Sequence, residues 1–156
     1  MYPFIPKSNS KLEIGQFWPI KLSNGKYAIG IVLDFPDKKE NTKHFFAGLL
    51  DWIGDMIPTQ TVLAQANIKL IDQAKAHIKT ITFDGQAIVG KIDLDLANIE
   101  LPFEVSCFGY AESTNLLQGF KTIRKSTHED HKIYGTQGGW GYDYINKLAE
   151  RLLIKK

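Results

Sequence analysis

The sequence predicts an α+β fold that is mainly β: a strongly twisted antiparallel sheet with a short middle helix and a C-terminal amphipathic helix. Two β-rich runs flank an Asn-Gly turn at residues 23–25, which is typical of a hairpin. Later segments alternate apolar and polar residues, as half-buried strands do. Apolar residues near the end of the chain recur at helical spacing. A barrel-like closure of the sheet is left open as an alternative.

The 156 residues suit a single domain spanning residues 1–156, with a core large enough to fold alone. Residues 1–11 have little periodicity and contain Pro3 and Pro6, so we expect an N-terminal arm packed on the body. Neither a signal-peptide layout nor a membrane-spanning run is present, and we expect a cytoplasmic protein. Cys107 is the only cysteine, which excludes an internal disulfide and fits a reducing compartment.

The opening hairpin, residues 15–33, should form the centre of the sheet. Pro19 cannot donate to a β-ladder, which pushes the first strand toward an edge. Trp18, Ile20 and Leu22 share one face of that strand. In the second strand, large side chains alternate with small ones, which predicts a core strand with a close neighbour. The large face holds Tyr27, Ile29, Ile31 and Leu33, and the small face holds Ala28, Gly30 and Val32.

The middle of the chain mixes strand and helix signals. Residues 44–52 are apolar enough for a buried third strand. Thr59 is a suitable N-cap for a short helix that carries Val62, Leu63 and Ala66. Residues 68–71 fit either the end of that helix or the start of a strand.

Further strands are predicted in the second half. Residues 76–83 alternate and precede Asp84-Gly85, which predicts a second hairpin with residues 87–90. Residues 92–96 read as a half-buried strand with an acidic outer face, followed by β character at 103–108 and a strand at 119–123.

The terminal helix is predicted at about residues 141–155, after a glycine-rich hinge at 138–141. Lys155 and Lys156 in its last turn would suit the negative end of the helix dipole. Its apolar stripe comprises Ile145, Leu148, Ala149, Leu152 and Leu153.

Candidate catalytic and metal-binding groups are weak. The segment 128–131, His-Glu-Asp-His, resembles a ligand cluster but lacks further donors on an ordered carrier. Asp93 and Asp95 could bind a cation or act as paired carboxylates, but an exposed acidic strand that resists edge pairing is the simpler account of them. The glycines of residues 135–141 are not followed by the Lys and Ser or Thr of a phosphate loop, and no G-x-S-x-G elbow occurs. We therefore expect no enzyme, no cofactor and no metal site. A hydrolase using His128, His131 or the two aspartates is a third hypothesis.

The sequence from Gly15 through residues 17–20 and 24–28 to Gly30 resembles the opening of the Immunity protein 26 family of bacterial polymorphic toxin systems. Segments 46–52, 77–81 and 85–90 follow in a similar order. The resemblance implies a mostly β, non-enzymatic cytoplasmic protein that binds and neutralises a cognate toxin. It implies no particular contact residues.

The charge is uneven, which suggests where a toxin would bind. Residues 84–112 hold six acids against Lys91 alone, while residues 113–156 hold eight Lys or Arg against four acids. Nuclease toxins present basic clefts, so an inhibitor would gain association rate from an acidic face. We expect this face to comprise Asp93, Asp95, Glu100 and Glu104, with Asp51, Trp52 and Asp55 as a second candidate surface.

A nucleic-acid-binding or regulatory β domain is the alternative function, because basic residues of the C-terminal third have aromatic neighbours. We expect a protein partner rather than nucleic acid or a membrane. The basic residues are Lys121, Arg124, Lys125 and Lys132, and the aromatic ones are Phe120 and Tyr134.

Overall fold

The computed structural model describes residues 1–36, 42–106 and 114–154. It contains two antiparallel sheets, which confirms the mainly β prediction; neither sheet is closed. The larger sheet has the order β4-β3-β2-β1-β5, formed by β1 Gln16–Lys21, β2 Tyr27–Asp34, β3 His44–Gly54, β4 Leu70–His77 and β5 Gly90–Lys91. The smaller sheet has the order β6-β7-β8, formed by β6 Phe103–Val105, β7 Asn115–Gln118 and β8 Lys121–Lys125.

Five short helical segments accompany the sheets in the described ranges. A 3₁₀ turn spans Asn9–Lys11 and precedes β1. The predicted cap of the middle helix is confirmed, because the Thr59 side chain accepts the N–H of Val62. No helix among the described residues is long and apolar enough to cross a membrane. The α-helices are α1 Gln60–Gln65, α2 Lys79–Thr82, α3 His128–Ile133 and α4 Tyr144–Leu153.

The β1–β2 hairpin buries both of its faces, as its alternation predicts. Gly25 alone adopts a left-handed conformation at the turn (φ +84°), while Asn24 does not. Trp18 lies opposite Gly30 in the antiparallel register. A Cβ on Gly30 would come within 2.2 Å of the Trp18 ring, so the indole occupies the space that the small face of β2 leaves open.

The core has two parts, one on each face of the larger sheet. Because both faces are covered, β2 reads as a nearly continuous apolar run. One part lies under α4 and includes Trp18, Ile20, Phe45, Ile145, Leu148 and Ala149. The other lies under α1 and the segment 92–101, and includes Phe17, Ile31, Phe46, Leu50, Leu63 and Ile99.

Both edges of the larger sheet are short or covered. β1 is next to last in the sheet order and not its edge strand, but β5 pairs with it only at Gln16 and Phe17, so the prediction that Pro19 pushes β1 toward an edge holds only for the part of the strand beyond Phe17. On the other edge, Lys75 of β4 donates to the carbonyl of Gly138 at 3.0 Å and accepts from the amide of Trp140 at 2.8 Å. The glycine-rich segment predicted as a hinge is thus tied to β4 by main-chain hydrogen bonds.

The predicted hairpin over residues 76–90 is wrong. Residues 70–77 form β4, which settles the open assignment at 68–71, and the chain then turns into α2. The ring Nδ1 of His77 accepts the amide of Lys79 at 3.0 Å, and the amide of Ile81 donates to the carbonyl of Ile78. These local hydrogen bonds favour a helical turn where the side-chain alternation indicated a strand.

The predicted strand at 92–96 is also wrong. Asp93 Oδ1 accepts the amides of Asp95 at 2.9 Å and Leu96 at 3.2 Å, and the chain turns over residues 94–98. An aspartate that binds the backbone ahead of it offers an alternative to a β-ladder. Leu96, expected on the core face, is 84% exposed.

The remaining predictions are confirmed in part. β6 begins at Phe103, while residues 107–108 lie outside the described ranges. The predicted strand 119–123 is shifted to β8, because Gly119 (φ +61°) lies in the turn after β7. The terminal helix is α4, and Lys155, Lys156 and Cys107 lie outside the described residues. The N-terminal arm packs on the body through reciprocal main-chain hydrogen bonds between Phe4 and Ile88.

Candidate protein-binding groove

An open groove of about 1400 Å³ is lined by the end of β2, residues 91–95 and 99–103, and the β7–β8 hairpin. Two lysines, Lys91 and Lys121, also line the groove. Lys91 forms an ion pair at 3.4 Å with Glu13, a residue that does not line the groove. We call this feature the acidic groove, and its acids are Asp34, Asp93, Asp95 and Glu100.

The turn after β5 presents two of these acids. Ile92, Leu94 and Ile99 are buried in the second part of the core, whereas the carboxylate residues Asp93 and Asp95 between them are exposed. The apolar residues therefore anchor the turn, and the hydrogen bonds from Asp93 to the following amides hold its shape. The acids face outward as expected, although a turn and not a strand carries them.

Asp34 joins the two sheets at the groove. Its Oδ2 accepts the main-chain amide of Phe120 at 2.8 Å. The Phe120 ring meets Phe46 of β3 edge-on, with 6.1 Å between ring centroids. Sequence reasoning missed Asp34, because it lies far from Asp93 in the chain and no local pattern connects the two residues.

Glu104 does not belong to this acidic surface. It is 6% exposed, and its Oε2 accepts from Gln73 Nε2 of β4 at 3.1 Å. Burial raises the pKa of the Glu104 carboxyl above its ordinary value, and the hydrogen bond from Gln73 opposes that rise. The expectation that Glu104 extends the exposed acidic face is therefore wrong.

The second candidate surface is separate from the groove. Asp51 and Asp55 are exposed near the end of β3, and Asp55 lies 3.8 Å from the ammonium of Lys26. Trp52 is half-buried and packs against the second part of the core. None of these residues lines the acidic groove. The structure thus brings together three of the predicted partner-binding residues, Asp93, Asp95 and Glu100.

The segment 128–131 forms most of α3 and has a structural role. Asp130 completes a capping box with Thr127 and accepts two hydrogen bonds from Arg124, at 2.5 and 2.9 Å. The Arg124 guanidinium holds the pKa of the Asp130 carboxyl well below its usual range. The ring of His131 lies 2.9 Å from the Thr114 hydroxyl. Within the described ranges, no group of three or more His, Cys, Asp or Glu could hold a metal ion.

The basic strand β8 lies on the outside of the smaller sheet, and all five of its residues are exposed. Arg124 forms an ion pair with Asp130, whereas the ammonium groups of Lys121 and Lys125 form no ion pair with any carboxylate of the described residues.

Comparisons of the chain with protein-family models, with curated proteins and with solved structures gave no match.

Proposed function

We propose that this protein is an immunity-type binding protein that neutralises a cognate bacterial toxin by occlusion, in the cytoplasm and without a catalytic step of its own. The resemblance of residues 15–30 to the Immunity protein 26 family supports the class of function. The observation that carries the proposal is the acidic groove, where three acids selected from the sequence meet a fourth, Asp34.

The size of the groove favours a macromolecular ligand. Pockets for small molecules usually enclose about 300–1,000 Å³. The acidic groove is larger, at about 1400 Å³, and open to solvent. A loop or helix of a protein partner would fill such a space better than a metabolite would.

Charge and apolar surface are combined as a protein interface requires. Phe103 lines the groove and is 40% exposed, and Leu96 lies on the turn that carries the acids. Interfaces gain most of their energy from a few anchors that lose water, while the surrounding charges set rate and specificity. We assign Phe103 and Leu96 as anchors and the four acids as the complement of a basic cleft on a nuclease-type toxin.

The test replaces the three exposed acids together, in an Asp93→Asn, Asp95→Ser, Glu100→Ser variant; Asp93→Asn removes the charge but keeps an oxygen that can accept the amides of Asp95 and Leu96. Exposed charges contribute about 0–1 kcal/mol each to stability, so the variant should fold. Its association rate with the toxin should fall at least about tenfold at low salt and differ little at high salt, where steering is screened. Stopped-flow or surface-based kinetics at several salt concentrations would measure this.

The control is an Asp51→Ser, Asp55→Ser variant, which removes two exposed acids outside the groove. We expect it to associate with the toxin at close to the wild-type rate. A slower rate for this control, with an unchanged rate for the triple variant, would place the interface at the end of β3 and contradict the assignment of the groove.

The cognate toxin would be sought among proteins encoded beside this gene. Co-expression with the correct toxin should restore growth and give a complex that survives gel filtration. If no neighbouring candidate gave either result, the toxin-neutralising function itself would be wrong, whichever surface had been assigned.

Nucleic-acid binding is the second candidate, and the exposed basic strand β8 favours it. Such binding should weaken steeply with salt, because phosphate counterions are released. A Lys121→Gln, Lys125→Gln variant would then bind more weakly than the wild type. A low-salt titration that showed no binding of single- or double-stranded DNA or RNA to the wild-type protein would remove this candidate.

A further inference from the structure

A second cluster of polar and aromatic side chains lies where β3 begins and β4 ends, at the pair formed by His44 and His77. The two histidines are direct partners in the antiparallel register, and their rings lie edge to face with 5.6 Å between centroids. The ring of Tyr142, from the segment before α4, lies 5.1 Å from that of His77. Three aromatic rings from three parts of the chain therefore meet at one corner, which we call the histidine corner.

Two ammonium groups belong to the same corner. The Nζ atom of Lys79, at the start of α2, lies 5.5 Å from the centre of the Tyr142 ring. Lys43 directly precedes His44, and its carbonyl accepts the amide of Ile78 at 2.8 Å, which holds this residue beside the end of β4. Both lysines are exposed, and none of the corner residues lines the acidic groove.

The hydrogen bond at His77 determines which ring nitrogen carries a proton that a ligand could accept. Nδ1 accepts the main-chain amide of Lys79 at 3.0 Å, so the proton of the neutral imidazole is on Nε2. His77 Nε2 has no hydrogen-bond partner in the described part of the chain, which leaves a ring N–H available to an acceptor even without a second proton.

The electrostatic surroundings of His77 are positive. The charged groups that act on it are His44 from β3, Lys43 before β3 and Lys79 from α2. Partial burial lowers the pKa of His77 below its ordinary value, and the interactions with His44, Lys79 and Lys43 lower it further. No carboxylate of the described residues contributes to this shift, so the described part of the corner presents donors and positive charge.

We propose that the histidine corner binds a phosphate group. The N–H of His77, the ring of His44 and the two ammonium groups supply donors and charge, and the Tyr142 hydroxyl is a further donor. The aromatic faces would also accept a base attached to the phosphate, as stacking platforms for nucleotides do. The site lies on a different part of the chain from the acidic groove and does not depend on the toxin.

A metal ion is the competing occupant, since paired histidines across two strands can bind divalent transition metals. Two neighbouring lysines favour an anion instead, and so does the absence of a carboxylate of the described residues from the charges that act on His77. A response of His44 and His77 to micromolar zinc, without any response to phosphate, would overturn the proposal.

The test is a titration of the protein with inorganic phosphate at constant ionic strength, followed through the imidazole resonances of its four histidines by NMR. The His44 and His77 signals should shift with a saturable curve and half-saturation below about 10 mM. Binding should raise the pKa of His77, because the anion favours the protonated ring. Equal, non-saturating shifts of His128 and His131 would show general ionic screening and overturn the proposal.

Matched variants separate the site from a general charge effect. His77→Asn keeps an acceptor near the Lys79 amide but removes the Nε2 donor, and it should weaken phosphate binding at least about fivefold. His128→Asn, at an exposed position, should leave binding unchanged. Lys43→Gln with Lys79→Gln should weaken binding more than the equally charged change Lys7→Gln with Lys69→Gln. Equal effects of the two double variants would contradict a defined site.

Three phosphate compounds would show which kind of phosphate ligand the site prefers. Inorganic phosphate, thymidine 5′-monophosphate and a short oligothymidine would be compared under the same conditions. Tighter binding of the monophosphate than of inorganic phosphate would indicate that the rings hold the base. Tightest binding of the oligonucleotide would identify a nucleic-acid backbone as the source.

Discussion

Glu104 is a buried carboxylate whose two oxygens have different surroundings. Oε2 accepts from Gln73, whereas Oε1 finds no donor among the described residues. The Oε1 atom of Gln137 is likewise buried and without a donor there, while its Nε2 donates to the carbonyl of Gly119. Burial of this carboxyl is the main physical reason for its raised pKa.

We predict that Glu104→Gln stabilises the protein at neutral pH by about 1 kcal/mol, because the amide removes a buried charge and adds a donor. The folded pKa of Glu104 lies above that of the unfolded chain, so the folded state holds its proton more tightly. Stability from this residue is present at low pH and is lost as the pH rises from about 4.5 through the folded pKa. Urea unfolding between pH 4 and 8 should show a smaller decline for the variant.

The control for this prediction is Glu100→Gln, at an exposed position. It should follow the pH dependence of the wild-type protein. A steep decline that persisted in Glu104→Gln would mean that other groups cause it.

We predict that Gly30→Ala destabilises the protein by about 1–3 kcal/mol, because the added methyl group would overlap the Trp18 ring. Trp18→Leu opens that space, so the two changes together should cost less than the sum of their separate effects. Chemical unfolding of the three variants would measure the coupling. Gly138→Ala, where a Cβ meets open space, should be nearly neutral, and a similar cost at both glycines would contradict the packing argument.

The helix α4 docks on the larger sheet through one stripe of side chains. Ile145, Leu148 and Ala149 are buried, while Leu152 is 44% exposed. The backbone and hydroxyl of Ser23, in the β1–β2 turn, donate to the carboxylate of Glu150. The helix therefore covers Trp18 and Phe45 and contacts the hairpin turn at the same time.

We predict that Leu148→Ala lowers the free energy of unfolding by about 2–4 kcal/mol, since a buried leucine is replaced by a cavity. Leu152→Ala belongs to the same predicted stripe but should cost under about 1 kcal/mol, because its side chain keeps much of its contact with water. Thermal and urea unfolding would compare the pair. Equal losses would mean that the exposed position is covered in solution.

The turn after β7 joins the smaller sheet to the larger one. Phe120 packs against Phe46, lies under the Lys75 ammonium at 5.7 Å, and donates its amide to Asp34. The side chains of Gln73 and Glu104 meet between β4 and β6. Among the described residues, these side-chain contacts connect the smaller sheet to the larger one, together with main-chain hydrogen bonds of segment 135–140 to Val105 of β6 and Lys75 of β4.

We predict that Phe120→Ala loosens the smaller sheet before the larger one unfolds. Native-state hydrogen exchange should show amides of β7 and β8 losing protection by about tenfold or more, which is about 1.4 kcal/mol, while β2 and β3 change less. Ile123→Ala, at a 38% exposed position in β8, should have a smaller effect. A uniform loss over both sheets would show that the molecule opens as one unit.

Patterns within single elements were sufficient for much of the fold. The alternation of β1 and β2 predicts which side chains share a face, Thr59 predicts the start of α1, and the stripe ending at Leu153 predicts α4. In each case the decisive interactions join residues close in sequence or repeat with the period of the element. The mainly β class follows from the same patterns. The alternation of side chains wrongly predicts strands at residues 76–83 and 92–96, because side chains there form local hydrogen bonds with the backbone and the chain turns.

Tertiary structure alone decided which distant residues meet. Asp34 joins Asp93, Asp95 and Glu100 because the smaller sheet docks beside the end of β2, and Glu104 is excluded because β6 turns it toward β4. The pairing of His44 with His77 depends on the register of β3 and β4. A period specifies the face of a side chain within its own element, but it holds no information on which other element lies opposite. Sheet order, register and turn geometry supply that, and they build both the acidic groove and the histidine corner.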